Sequence, residues 1–219
     1  MSDSDSFINE VSEELRRDRM TALWKRYGPW IIGAVALAVA AAAALNWMDS
    51  QREAAAQAAG ERLAEAASAE DPAARAERFA AAADASEGGP ALVARLSEAA
   101  ALDEAGDETG AIGVLSLIEQ DGAADPIYRA LAGFKIAMIQ SREAGPAQRI
   151  DLFAPHAAQG APFRLLALEQ LAAARLLAGD PAGARADAEA ARDDPLATPV
   201  LQDRLSQLLL LIEAAEDAG

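Results

Sequence analysis

Cysteine is absent from this 219-residue chain, histidine occurs once, and only ten residues are aromatic. Each shortage excludes chemistry. Without cysteine there is no disulfide, thiolate nucleophile, iron–sulfur cluster or cysteine-held zinc, and one histidine is too few for a His-rich metal centre. That residue, His156, follows Pro155 with no Asp, Glu, Ser or Cys beside it in sequence, so it reads as a hairpin-end residue rather than a catalyst. No P-loop, dinucleotide-binding glycine pattern, nucleophile elbow or metal-ligand spacing is present. The expectation is a non-enzymatic protein with no cofactor, no metal and no small-molecule substrate. Basic residues are also scarce, 19 against 35 Asp and Glu, which argues against nucleic acid because phosphate contacts need clustered cations.

What the chain has in abundance is alanine. Apolar residues make up 52% of the sequence despite a formal charge of −16, and 59 of them are Ala, the best helix former and one that buries little surface. Few β-branched residues and no sustained apolar/polar alternation oppose a sandwich, barrel or doubly wound sheet. The fold class expected is all-α.

One segment is apolar in a different way. Residues 28–48 carry no formal charge, and as a helix they would be roughly 30 Å long, the thickness of a bilayer core. Trp24, Tyr27 and Trp30 gather at one end and Trp47 stands at the other, as amphipathic rings do at the two membrane–water interfaces. The anchor residues are read as Trp30, Ile31, Ile32, Val35, Leu37, Val39, Leu45 and Trp47. Arg16, Arg17, Arg19, Lys25 and Arg26 precede the segment, whereas only Arg52 and Arg62 closely follow it, so residues 1–27 are expected in the cytoplasm and residues 49–219 across the membrane. A cleaved signal peptide, with the run Ala40–Ala44 offering small residues to a signal peptidase, is the competing reading. The apolar stretch is longer than the usual signal-peptide core, which favours an uncleaved signal-anchor. Before it, Ser6 or Asn9 can cap a short amphipathic helix whose apolar stripe would be Phe7, Ile8, Val11, Leu15 and Leu23.

The prolines organise the rest. Pro90, Pro126, Pro162 and Pro199 lie 36, 36 and 37 residues apart, and a second series, Pro72, Asp107, Pro146 and Pro181, alternates with them. Proline is favoured at the first position of a helix, with Asp, Thr or Gly before it as cap, so the pattern reads as two helices per unit of about 36 residues. Such a period marks an α-solenoid, in which hairpins must stack to bury their apolar faces. Hairpins are expected at about 51–86, 90–121, 126–158 and 162–193, with a capping helix at about 199–216. The first helix contains no proline from Asp49 to Ala69 and would run on from the membrane segment.

Two turns share one arrangement: Ala99, Gly106, Asp107 and Ala111 in the second hairpin, and Ala172, Gly179, Asp180 and Ala184 in the fourth. Small residues allow close helix approach, Gly ends the first helix and Asp caps the second. This arrangement resembles the tetratricopeptide repeat, most closely at Leu176-Leu177-Ala178-Gly179-Asp180-Pro181-Ala182-Gly183-Ala184. The large aromatic early in the first helix is missing, and the hairpin around Ser141–Pro146 has lost its Gly-Asp.

A short cytoplasmic segment, one signal-anchor and a chain of divergent tetratricopeptide-like repeats together resemble the ancillary subunit family of the bacterial SecYEG translocon, the YfgM-like proteins. The resemblance is carried by Phe7-Ile8-Asn9-Glu10-Val11, by Leu23-Trp24 leading to Tyr27-Gly28, by Asn46-Trp47 and by the turns above. It implies a single-pass protein of the bacterial inner membrane with a periplasmic C-terminal domain, associated with SecYEG and periplasmic chaperones and without enzymatic activity. A repeat scaffold for another envelope assembly, in division or outer-membrane biogenesis, is the alternative. Beyond Met48 the chain holds 14 basic and 29 acidic residues, a charge of −15 that suits solubility and repels anionic lipid.

Overall fold

The computed structural model describes the backbone of residues 3–217 and the side chains of residues 25–27, 30, 33 and 37–217. Among the described residues the fold is all-helical, with no strand. The chain divides into two compact units, Met1–Ala58 and Ala59–Gly219. Helix α1 (Asp3–Ala67) supplies the described residues of the first. It starts three residues before Ser6, so Ser6 and Asn9 lie within the helix and are not its caps. The side chains of the expected stripe at Phe7, Ile8, Val11, Leu15 and Leu23 fall outside the described residues, as do those of Ile31, Ile32 and Val35. Among the described residues no helix is long and apolar enough to cross a membrane; the charge-free run of residues 28–48 is only partly among them.

The second unit contains the end of α1 followed by α2 (Pro72–Asp84), α3 (Gly88–Glu104), α4 (Glu108–Gln120), α5 (Pro126–Gln140), α6 (Pro146–Phe153), α7 (Arg164–Leu177), α8 (Pro181–Arg192) and α9 (Pro199–Asp217). Local chemistry sets these boundaries. Asp71 accepts the N–H of Ala74 at 2.8 Å, Asp125 that of Ile127 at 2.9 Å and Asp180 that of Gly183 at 2.9 Å, each with proline next in line. The Thr198 hydroxyl accepts the N–H of Leu201 at 3.3 Å and starts α9. Two starts differ from the proline pattern. Helix α3 begins at Gly88, whose φ of +59° turns the chain out of α2, and Pro90 sits at the third helical position, where an N–H has no intrahelical partner to lose. Helix α7 begins at Arg164, two residues after Pro162, which belongs to the preceding turn. Helix α6 is short because Pro155 cannot donate to the next turn, and a single 3-10 turn, Ala154–Ala157, replaces its continuation.

The Gly-Asp turns work in two directions. Gly106 and Gly179 have φ of +83° and +80°. In each case the following Asp N–H reaches back to the carbonyl five residues earlier, Leu102 or Arg175, at 2.9 Å, closing the ending helix. The same Asp then caps the next helix through its carboxylate, Asp107 onto the N–H of Gly110 at 2.9 Å and Asp180 onto that of Gly183. A Cβ at Gly110 or Gly183 would crowd that capping carboxylate as it stands, so the carboxylate would have to shift, as Asp71 is placed to cap the N–H of Ala74, which carries a Cβ. The N–H of Gly183, with Arg175 beside it, holds the Asp180 carboxyl below the usual carboxylate range.

Helices pack in chain order: α2 on α3, α3 on α4, α4 on α5, α6 on α7, α7 on α8 and α8 on α9, while α5 and α6 touch at only a few points. The contacts are made of small side chains. Ala94, Ala111, Ala132, Ala167, Ala172, Ala184, Ala188 and Ala191 are fully enclosed, and Ala99 nearly so. Large, completely buried side chains are few: Phe153, Leu115, Ile118, Leu205 and Ile212. One core joins α3, α4 and α5 around Leu115, Ile118 and Ile139. A larger one joins α5 to α9 around Phe134, Phe153, Leu171 and Leu205. Helix α9 closes that core with Leu201, Leu205, Leu209 and Ile212 and leaves Leu210 and Leu211 exposed.

Gly179→Ala places a Cβ at positive φ and is expected to lower unfolding stability by about 1–2 kcal/mol in urea titrations. Leu205→Ala, which opens a cavity in the larger core, is expected to lower it by about 2–5 kcal/mol in the same measurement.

Candidate partner-binding groove

Two clefts in the second unit meet along the first helices of successive hairpins. The smaller, of about 410 Å³, lies between α3, α5 and the start of α7, with Leu131, Phe134, Lys135, Met138, Phe163 and Leu166 on its walls. The larger, of about 1010 Å³, lies between the α6–α7 and α8–α9 connections and is lined by Phe163, Leu166, Leu196, Val200 and Arg204 among others. Phe163 and Leu166 border both. Leu196 is 82% exposed and Val200 66% exposed, and together with Phe163 and Leu166 they gather at one cleft.

Ion pairs along the walls neutralise most of the charge there. Arg142 meets Asp103 with two parallel hydrogen bonds, one of 2.7 Å to Oδ2, and reaches Glu108 at 3.3 Å. Its hydrogen bonds hold the Asp103 carboxyl below the usual range. Arg204 grips Glu169 with bonds of 2.7 and 2.6 Å, tying α9 to α7, and Arg164 meets Asp194 at 3.1 Å. Paired in this way, the charges leave apolar surface as the main thing the groove offers. Deeper down, Arg175 Nε stands 2.8 Å from Asp187 Oδ2 as an ion pair without aligned hydrogen-bond geometry. Burial outweighs the attraction and pushes the Asp187 carboxyl up.

Phe134 lines the smaller cleft and belongs to the larger core. Its ring stacks on Phe163 with centroids 5.7 Å apart, tilts against Phe153 at 6.0 Å and receives the edge of the His156 ring at 5.7 Å. Gly133 makes room for this arrangement, because a Cβ there would press on both His156 and the Glu119 carboxylate. Burial pushes the His156 imidazole below its ordinary value, partly opposed by the Glu119 charge. His156 lines none of the clefts described above, and its surroundings are those of a packing residue.

Of the eight turn residues singled out in the sequence, Ala99 lies on the wall of the smaller cleft. Gly106, Asp107, Ala111, Ala172, Gly179, Asp180 and Ala184 build the turns and the helix contacts that hold the groove. Among the expected anchor residues, Trp30, Leu37, Val39, Leu45 and Trp47 all expose large apolar side chains in the Met1–Ala58 unit. Among the described residues no group of three His, Asp or Glu could hold a metal ion. The groove residues Phe163, Leu166, Leu196 and Val200 were not foreseen. One signal for two of them was in the period itself: Phe163 and Val200 directly follow the repeat prolines, as Ile127 follows Pro126.

Because protonation of His156 is disfavoured in the folded state, its contribution to stability is complete above the unfolded value near pH 6.5 and is lost as pH falls through the lowered folded value. Urea midpoints measured from pH 7.5 down to pH 5 should therefore fall for the native chain and fall less for His156→Gln, the difference between the two opening below about pH 6.5.

No family model, no curated protein and no solved structure matches this chain.

Proposed function

We propose that the chain is a non-enzymatic scaffold or co-chaperone of the bacterial inner membrane, in which a tetratricopeptide-like repeat domain offers the groove along α3, α5, α7 and α9 to apolar segments of other polypeptides. The observation that carries this reading is the pair of joined clefts, apolar within and neutralised at the walls by arginine–carboxylate pairs. A groove of that kind recognises aliphatic and aromatic side chains without demanding a sequence, which suits a protein that meets many unfolded or emerging chains.

In this reading residues 28–48 are an uncleaved membrane anchor, residues 1–27 are cytoplasmic and residues 49–219 are periplasmic. Support comes from the 21 uncharged residues, the aromatic residues at both ends and the excess of Lys and Arg before the segment. Tethering matters to the mechanism. A weak apolar contact held beside a channel exit acts at a high effective concentration, so each encounter can be brief and still productive. Association with SecYEG and with periplasmic chaperones is the partner assignment that the family resemblance implies.

The test is purification of the full chain from crosslinked cells in mild detergent, with a photo-crosslinking residue at Leu166 or Val200. SecYEG subunits, periplasmic chaperones and emerging chains should be enriched, and a charged substitution at the neighbouring groove position, Val200→Asp or Leu166→Asp, should deplete the emerging chains while leaving the SecYEG subunits. Recovery of division or outer-membrane assembly proteins in their place would transfer the groove to that machinery. A mature N-terminus beyond Ala40 would end the anchor reading.

A further inference from the structure

A third cleft, of about 500 Å³, lies away from the joined pair, between the α2–α3 and α4–α5 connections. Its interior is mainly apolar, with Leu92 and Ile118 at its base and Tyr128 and Gly88-Gly89 at its sides. Its charge balance sets it apart. In the joined clefts Asp103, Glu169 and Asp194 are each held by an arginine. Here Glu87, Asp121 and Asp125 line the opening, all three exposed, and none of them takes part in an ion pair among the described residues. Asp121 and Asp125 each use one oxygen, Oδ1, to accept a local backbone N–H at 2.9 Å. Glu87 makes no capping bond. The one cation of the cleft, Arg95, stands near Glu98, whose carboxyl burial pushes up while the Arg95 charge opposes that rise. A fourth cleft, beside α2, has Arg62 and Arg78 against Glu65 alone and no such excess of carboxylate.

We propose that this cleft binds a basic polypeptide segment, a lysine or arginine side chain lying against the Tyr128 ring within reach of the three carboxylates and a neighbouring aliphatic side chain entering the apolar slot. Charge complementarity selects this occupant over an acidic or neutral one. The rings of tyrosine attract cations on their faces, and Tyr128 is 38% exposed at the cleft. The −15 carried beyond Met48 adds a long-range field that draws basic segments toward the domain and disfavours acidic ones. The site is independent of the apolar groove and of any membrane partner, so its test stands apart from that of the proposed function.

Fluorescence anisotropy with the full chain in non-ionic detergent tests it, using a labelled leucine–lysine peptide and a leucine–glutamate peptide of the same length. The lysine peptide should bind and the glutamate peptide should not. Glu87→Gln should weaken binding about two- to fivefold, as loss of one exposed charge contact does. Tyr128→Ala should weaken it by a similar factor through loss of the ring face. Glu143→Gln removes the same charge from an exposed turn elsewhere and should leave affinity unchanged; circular dichroism confirms that all variants fold. No binding of the lysine peptide, equal binding of both peptides, no effect of Glu87→Gln and Tyr128→Ala, or an equal loss in Glu143→Gln would each overturn the proposal.

Discussion

Everything in the second unit depends on how closely its helices approach one another at alanine. Ala111, Ala132, Ala167, Ala184, Ala188 and Ala191 have no accessible surface at all, yet each contributes only a methyl group. A methyl buries too little area to hold a helix alone, so stability has to come from many short-range contacts repeated along the chain and from the few large residues that fill the gaps between them. Small side chains at the crossing points bring backbones together, and protein interiors tolerate little misfit once that is done. The Gly-Asp turns belong to the same constraint. Each reverses the chain within two residues, satisfying the ending helix and the starting one with a single Asp, so the paired helices leave the turn already adjacent.

The groove follows from what this packing leaves unfilled. Where α3, α5 and α7 line up, the small residues Ala99 and Ala100 on one side and the Phe134 cluster on the other open a cleft instead of a contact. The connection between α5 and α6 lacks a Gly-Asp turn. Arg142 stands 36 residues after Gly106 and 37 before Gly179, and from that position it spans back to Asp103 and Glu108 of the preceding hairpin. An ion pair between hairpins thus stands where the neighbouring hairpins have a turn within one. Across the sparse contact between α5 and α6, Phe134 meets Phe153, His156 and Phe163 beside the smaller cleft.

Much of this architecture was legible in the sequence because its determinants are local. Prolines and capping Asp or Thr residues mark helix starts, and the helices at Pro72, Pro126, Pro146, Pro181 and Pro199 begin there. The same logic misplaced two starts by two residues, at Gly88 and Arg164, where the loop geometry before the helix decided the matter. The turns at Gly106-Asp107 and Gly179-Asp180 were read from spacing, but the close approach of the capping carboxylates to Gly110 and Gly183 comes into view only in the folded geometry. The groove was the least legible part. Exposure of Val200 and burial of Leu205 are set by neighbours some 30 to 40 residues away, and both read alike as apolar positions in a helical pattern, while Leu196 falls in the connection between two expected helices. The pairing of Arg142 with Asp103 and of Arg204 with Glu169 is equally non-local.

Close helix approach through alanine is therefore the claim that most needs a direct measurement. Urea unfolding of Ala184→Leu beside Ala186→Leu isolates it: both add the same side chain to α8, but Ala184 is fully buried and Ala186 exposed. The account predicts a loss of about 1–3 kcal/mol for Ala184→Leu from overpacking and little change for Ala186→Leu. Equal stability of the two variants would contradict it.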